Sequence, residues 1–128
     1  MFARTSHAAV VQLLSEFPFA GVIKGPIQEC ATSLDRSIFH FVHLDVDLHA
    51  PMLWSLACFL PRLAIGGIIC VDDYNKKSCP GVRLAVEEAI THVADSVIVF
   101  PTDTAQCLIV KTADRARLAG RPNPASTP

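Results

Sequence analysis

Apolar residues along this chain recur in two spacings, one helical and one extended. They stand three and four residues apart over 6–17, and again from Pro80 onward, which predicts two amphipathic helices. Elsewhere they form short, near-continuous runs, as expected for strands that are covered on both faces. A further helix is predicted between Pro51, which suits a first helical turn, and Pro61, which ends it. The predicted strands are residues 21–24, 38–45, 68–71, 97–100 and 107–111, and a weak helix is predicted over 27–33.

Helices and strands therefore alternate, and this order predicts an α/β fold whose sheet is mostly parallel and has helices on both faces. The last two strands are joined only by the hexapeptide PTDTAQ, which is too short for a parallel crossover. We therefore expect a C-terminal antiparallel hairpin. A length of 128 residues suits one domain, predicted over residues 1–113, and the polar, proline-rich residues 114–128 are predicted to be a disordered tail.

Composition and charge exclude several classes of protein. The net charge of −1 and the pI near 6.5 lack the basic excess of a nucleic-acid-binding protein, so no nucleic-acid partner is expected. No apolar run approaches the roughly 18 residues of a membrane span, and the N-terminus lacks a secretory layout, so no membrane association is expected. The five cysteines are odd in number and none is spaced as C-x-x-C, which argues against a disulfide framework or a zinc knuckle. A reducing, cytoplasmic location is predicted.

Two pairs of aspartates end two successive predicted strands. Asp45 and Asp47 follow the first of these strands, and Asp72 and Asp73 follow the second. Because ligands of open α/β sheets bind beside the carboxyl ends of the strands, four carboxylates are expected to converge on one rim. Their mutual repulsion has to be offset by a cation or by protons, and Mg²⁺ prefers such oxygen ligands. A magnesium site is one interpretation; helix caps or turn starts, where aspartate is common, are the other.

Four blocks of sequence carry a more specific signal than the spacing of the acids. They are HLDVDL, FLPRL, GGIICVDDY and CPGVRLAVEE, in this order between residues 38 and 90, with weaker similarity in VIKGPIQE. Their order and spacing resemble the carboxyl-terminal half of the macrocin O-methyltransferase family. Members of that family are class I methyltransferases, which use S-adenosylmethionine and magnesium to methylate hydroxyls of sugars or related compounds. The resemblance implies a partial Rossmann-like methyltransferase sheet and a small-molecule hydroxyl acceptor.

The resemblance also assigns roles to the four acids. Asp47 would be the general base that takes the proton of the acceptor hydroxyl. Asp45 and Asp47 point to the same side of an extended chain, so one could hold a cation while the other acts as a base. The implied magnesium ligands are Asp45, Asp72 and Asp73.

The sequence that follows Asp45 and Asp47 departs from the pattern of the family. The chain reads His49-Ala50-Pro51-Met52 where the family has an aromatic residue followed by a Ser/Thr pair. Acceptor binding is therefore expected to differ more than metal binding does. His49 and Tyr74 adjoin the acids and are the candidates for binding the acceptor.

The Gly-rich cofactor turn of the family is missing, since none of the six glycines forms a G-x-G. The similarity begins at what looks like the third strand of the family's sheet. We therefore expect a truncated fragment without the first strands, and no residue is assigned to binding S-adenosylmethionine. A sheet that lacks its first strands exposes an edge, through which we expect the chain to self-associate as a homo-oligomer.

Two other functions stay open on the sequence alone. A methyltransferase-like remnant would fold and act as a non-catalytic interaction module, which the missing Gly-rich turn favours. A metal-dependent glycosyltransferase would use Asp45-Val46-Asp47 as its D-x-D motif and bind a nucleotide-sugar diphosphate through a cation. The CVDDY and CPGVRLAVEE blocks have no place in a glycosyltransferase, so O-methyl transfer is the leading prediction.

Overall fold

The computed structural model describes residues 6–34 and 37–114. The chain divides into two compact units, residues 1–35 and residues 36–128. Of the predicted C-terminal tail, residues 115–128 lie outside the described residues. No helix among the described residues has the length and apolar character that crossing a membrane requires.

The first unit is helical in its described part. Helix α1 (His7–Leu14) begins at Ser6, whose hydroxyl oxygen accepts a hydrogen bond from the Ala9 amide at 3.1 Å. Helix α2 (Ile27–Cys30) follows and continues into a 3-10 turn. The strand predicted over residues 21–24 is wrong, because the structure describes no strand there. A strand is stabilised by its ladder partner, and no described strand pairs with this segment.

The second unit is built on a four-stranded sheet. The chain order and the spatial order differ, since the strands lie side by side as β1-β2-β4-β3. β1 and β2 are parallel, and β4 is antiparallel to both of its neighbours, β2 and β3. The elements are β1 (Phe39–Leu44), α3 (His49–Phe59), β2 (Leu63–Val71), α4 (Pro80–Ile90), β3 (Val97–Pro101) and β4 (Cys107–Lys111).

Strand direction agrees with the prediction better than strand pairing does. β1, β2 and β3 point the same way, so most strands are parallel in direction, and the predicted hairpin of β3 and β4 is confirmed. The last strand, however, inserts between β2 and β3. Only the β1–β2 pairing is therefore parallel in the described sheet.

The helices α3 and α4 pack against each other, and α3 also contacts β1. Phe59 of α3 also meets Phe39 of β1 edge to face, with ring centroids 5.4 Å apart. Phe41 of β1 and Ile98 and Phe100 of β3 are 61%, 48% and 52% exposed. The predicted placement of helices on both faces of the sheet stays a prediction. The core includes Met52, Leu56, Ile69, Val71, Val82, Val86 and Ile109.

A glycine bulge lengthens β2 beyond the predicted residues 68–71. Phe39 pairs with Leu63 and Phe41 pairs with Ile68, so residues 64–67 of β2 lie opposite a single residue of β1. Gly66 has a φ of +82°, a left-handed conformation that glycine adopts without a steric penalty. The two glycines thus lie in a bulge within the strand.

The carboxyl ends of β1 and β2 coincide, and this alignment positions the acids. Leu44 pairs with Val71, and the Asp72 amide donates a hydrogen bond to the Leu44 carbonyl oxygen at 2.9 Å. The prediction that the two strands are neighbours is confirmed. Both pairs of aspartates therefore leave the sheet at the same edge.

Candidate functional site

A cluster of two carboxyl groups and a thiol lies at this edge of the sheet. The carboxylate oxygens of Asp47 and Asp73 and the sulfur of Cys79 all lie within 4.8 Å of one another. Asp47 follows β1, Asp73 follows β2, and Cys79 directly precedes α4. We call these three residues, together with Lys76, the rim cluster. It joins three separate elements at one point.

A series of tight turns returns the chain to Asp73 after β2 ends. The amide of Lys76 donates to the Asp73 carbonyl, and the amide of Cys79 donates to the Lys76 carbonyl, at 3.1 and 2.9 Å. Asp73 itself adopts a φ of +58°, in the left-handed region that aspartate and asparagine tolerate better than most residues. This backbone path places the side chains of Lys76 and Cys79 against the carboxylate of Asp73.

Asp73 is the most heavily bonded residue of the rim cluster. Its Oδ2 accepts a hydrogen bond from Lys76 Nζ at 2.9 Å and one from the Cys79 thiol at 3.6 Å. The residue is only 7% exposed. The hydrogen bond from the Lys76 ammonium is the main cause that lowers the pKa of the Asp73 carboxyl, with smaller contributions from Asp47 and Cys79. Asp73 is therefore held ionised.

Asp47 has the opposite electrostatic environment. Its side chain is exposed and is hydrogen-bonded to Asp73, and this contact is the main cause that raises the pKa of the Asp47 carboxyl. Partial burial and repulsion from Asp73 and Asp45 raise the pKa further, while Lys76 lowers it. Neighbouring carboxyls that perturb each other in this way attract a proton or a cation to the space between them.

Replacing Asp47 by asparagine is expected to stabilise the cation-free protein at about pH 7. The raised pKa of Asp47 means that the folded state holds this proton more tightly than the unfolded state. The contribution of Asp47 to stability is therefore present at low pH and is lost as the pH rises through the raised pKa. The advantage of Asp47→Asn should accordingly shrink as the pH falls below the raised pKa, because wild-type Asp47 then becomes protonated.

Thermal unfolding in EDTA-containing buffers across this pH range measures the effect. Asp95→Asn provides the control, because Asp95 is exposed and lies in the 3-10 turn before β3, away from the rim cluster. A variant advantage that does not change with pH would contradict the expected coupling of Asp47 to Asp73.

Two of the predicted magnesium ligands, Asp45 and Asp72, lie outside the group formed by Asp47, Asp73 and Cys79. Asp45 is exposed directly after β1 and acts on Asp47 through charge repulsion. Asp72 is half-buried, and its backbone is bonded to β1. All four acids therefore share one rim, as predicted, but the structure brings together Asp47 and Asp73. The roles of Asp45, Asp72 and Asp73 as metal ligands stay predictions.

The predicted acceptor-binding residues both contact α4. His49 Nε2 lies 3.2 Å from Glu88 Oε2, a contact that links the start of α3 to α4. Tyr74 is 7% exposed, and the guanidinium of Arg83 lies 5.8 Å from its ring centroid. Burial is the main cause that raises the pKa of the Tyr74 hydroxyl. Their binding of an acceptor stays a prediction.

Two members of the rim cluster were not identified from the sequence. Lys76 and Cys79 are not among the candidate residues that the sequence patterns indicate. The Asp73-x-x-Lys76 spacing could have indicated a local ion pair. No pattern in the sequence indicated that Cys79 would reach back to Asp73, because that contact depends on the turns between them.

The donor set of the rim cluster fits magnesium in part. Carboxylate oxygens are the ligands that Mg²⁺ prefers, and Asp47 and Asp73 offer them on one side of the rim. The thiol of Cys79 is a soft donor, and in this structure it donates to Asp73. The carboxylates therefore fit Mg²⁺, while Cys79 fits the role of a hydrogen-bonding neighbour.

A cavity of about 390 Å³ lies at the opposite edge of the sheet, not beside the acids. Lys111 lines it and is buried, donating to the carbonyl oxygens of Leu63 and Pro61 at 2.8 and 3.3 Å and pairing with Asp114 at 2.8 Å. These bonds satisfy the ammonium and hold the end of α3 to the start of β2. The cavity therefore contributes nothing to the carboxylate chemistry.

No protein-family model and no curated protein sequence matches this chain. Several solved structures are similar to it, and three of them have 19% sequence identity each. The O-methyltransferase NovP matches 84% of this chain and 46% of its own, with a TM-score of 0.71. The apo structure of CalS11, a TDP-rhamnose 3′-O-methyltransferase in calicheamicin biosynthesis, matches 72% of this chain and 42% of its own, with a TM-score of 0.57. A second structure of CalS11, as calicheamicin methyltransferase, matches 72% and 37%, also with a TM-score of 0.57.

These similarities define the class of fold. The chain has a methyltransferase-like α/β fold, and it spans less than half the length of the three structures that it matches. The methyltransferase-like fold that the resemblance implied is thereby confirmed, whereas membership of the macrocin O-methyltransferase family stays a prediction.

Proposed function

We propose that this chain is the carboxyl-terminal half of an S-adenosylmethionine- and magnesium-dependent O-methyltransferase of the macrocin type. Its acceptor would be a hydroxyl of a sugar or a small natural product. The observation that carries this proposal is the rim cluster at the carboxyl ends of β1 and β2, in a fold similar to that of the O-methyltransferase NovP. Ligands of open α/β sheets bind at this edge.

In this proposal the acids divide into ligands and a base. The magnesium ligands would be Asp45, Asp72 and Asp73. When bound, S-adenosylmethionine supplies the methyl group and Mg²⁺ supplies a Lewis acid. Asp73 suits a ligand because Lys76 holds its carboxyl ionised.

Asp47 suits the role of general base. Its carboxyl is exposed, and its raised pKa makes it a stronger proton acceptor than an isolated aspartate. It would hold the hydroxyl of the acceptor and take its proton as the methyl group is transferred. His49 stands at the start of α3 on the same rim, half-buried and oriented by Glu88, and would contact the acceptor together with Tyr74.

Calorimetric titration of the purified chain with S-adenosylmethionine, with and without Mg²⁺, tests the proposal. Binding of S-adenosylmethionine that Mg²⁺ strengthens would support an O-methyltransferase. If neither S-adenosylmethionine nor Mg²⁺ binds, a non-catalytic module is favoured. A nucleotide-sugar diphosphate serves as the comparison ligand. Its binding in the presence of Mg²⁺, with no binding of S-adenosylmethionine, would overturn the proposal in favour of a glycosyltransferase.

We also propose that a second copy of the chain pairs along β1. This strand is an edge of the described sheet, and no described strand pairs with its outer side. The exposed Phe41 adds an apolar side chain there. A two-fold axis would align the two copies of β1 antiparallel. Analytical ultracentrifugation at a series of protein concentrations tests this pairing by measuring the molecular mass. A monomer at every concentration would contradict the proposed pairing.

The net charge and the cysteines support the proposed type of acceptor and the proposed location of the protein. A small-molecule acceptor, and not a nucleic acid, fits the near-neutral net charge of −1. All five cysteines are free thiols, which supports the proposed cytoplasmic location.

A further inference from the structure

The rim cluster already contains a cation of its own, the ammonium of Lys76. Its Nζ lies 2.9 Å from Asp73 Oδ2. The same oxygen accepts the hydrogen bond from Cys79, and the carboxyl of Asp47 adjoins it. The ammonium therefore contacts an oxygen that a divalent cation at the rim would need.

Lys76 is attached to this oxygen in a way that allows it to leave. The side chain of Lys76 is 51% exposed, whereas that of Asp73 is 10% exposed. An ammonium at the end of a flexible stem regains water when it swings outward, and an ion pair with one exposed partner is readily exchanged. Asp73 is fixed by comparison, because its backbone is held by the turns that follow β2.

The adjacent lysine, Lys77, differs from Lys76 in its contacts with the rim cluster. Lys77 is exposed, and among the described residues it makes no ion pair with an acid of the rim cluster. The two residues have the same charge and adjoin each other in sequence. They differ in contact with Asp73, so they form a matched pair for experiment.

We propose that Lys76 is an internal competitor for the divalent cation. Its ammonium neutralises Asp73 in the absence of the cation. The side chain of Lys76 has to move away from Asp73 before the cation can bind. This inference rests on the proposed function, because it concerns the magnesium site of that function. In this view Lys76 does not contact the acceptor and determines the concentration at which the cation occupies its site. Lys76 is therefore a positioning residue.

Manganese provides the probe, because free Mn²⁺ is counted directly by its electron paramagnetic resonance signal. Lys76→Met should bind Mn²⁺ about two- to fivefold more tightly than wild type, the gain expected when an exposed ion pair no longer competes. Lys77→Met should change the affinity by a smaller factor than Lys76→Met does. Lys76→Gln, which keeps a polar side chain, should behave like Lys76→Met and guards against a folding defect in one variant.

A second measurement follows the lysine itself. The ammonium resonance of Lys76, assigned by its loss in Lys76→Gln, should shift when Mg²⁺ is added, while that of Lys77 should not. Equal or weaker Mn²⁺ binding by both Lys76 variants would overturn the inference. Equal gains at Lys76 and Lys77 would also overturn it, because they would reflect net charge alone.

The proposed function and this inference fail in different ways. If wild type and all variants bind no Mn²⁺, the inference and the magnesium part of the proposed function both fall. If wild type binds Mn²⁺ and S-adenosylmethionine but Lys76→Met binds Mn²⁺ no more tightly, only the inference falls.

Discussion

Asp73→Asn is expected to weaken the binding of divalent cations by at least about tenfold. Asparagine keeps the size of the side chain and removes the charge. It also tolerates the left-handed backbone, which in this protein has a φ of +58° at position 73. The variant should therefore fold with the loop in place, so the loss can be attributed to the missing carboxylate. Titration with Mn²⁺ measures it.

The control for this variant is Asp95→Asn, which removes one negative charge at an exposed position outside the rim cluster. It should leave the affinity for Mn²⁺ within about twofold of wild type, since exposed charges beyond the Debye length are largely screened. Asp73→Asn with unchanged Mn²⁺ binding would show that the cation, if bound, uses other ligands. The role assigned to Asp73 as a ligand would then have to be abandoned.

Gly81→Ala is expected to destabilise the second unit by about 1–3 kcal/mol, the range for overpacking a close contact. A methyl group at Gly81 would lie 2.9 Å from His49 Cβ and 3.1 Å from the His49 backbone nitrogen. The start of α4 would thus be pushed away from the start of α3. Because these two helices pack against each other over the core, the displacement cannot be confined to the surface.

The sign of this effect is diagnostic. Gly-to-Ala changes within helices ordinarily stabilise, because alanine has the higher helix propensity. Gly21→Ala is the control, since a methyl group at Gly21 would meet nothing within 4 Å. Thermal unfolding measures both, with a fall of about 4–8 °C in Tm per kcal/mol for a domain of this size. A Tm for Gly81→Ala at or above that of wild type would show that α3 and α4 do not approach this closely.

Much of the second unit could be predicted from local patterns. The helix over Pro80–Ile90 begins at the predicted proline, since the fixed φ of proline and its missing amide suit a first turn. The short connection before Cys107 correctly indicated a hairpin, because a chain of that length can only turn back. The acids at the ends of β1 and β2 were correctly placed on one rim, because a helix-connected pair of strands ends at the same edge.

Other features depended on contacts between distant residues. The segment 21–24 has strand-forming residues, but strand formation requires a partner, and no described strand pairs with it. The apolar runs of β1 and β3 suggested burial on both faces, yet Phe41 and Phe100 are more than half exposed. Apolar composition shows that a strand can be buried on both faces; which faces are covered depends on the elements that pack there.

The sequence by itself determined the helices, the hairpin and the meeting of four acids at one edge, because these follow from spacing and short connections. Only the tertiary structure decided that β4 inserts between β2 and β3, and that α3 and α4 pack against each other. It also decided which acids meet: Asp47 and Asp73 come together with Cys79 and Lys76, while Asp45 and Asp72 lie outside the group of three. The physical reason is that carboxylate contacts depend on distances of a few ångströms, which the turns after each strand fix and which residue spacing does not specify.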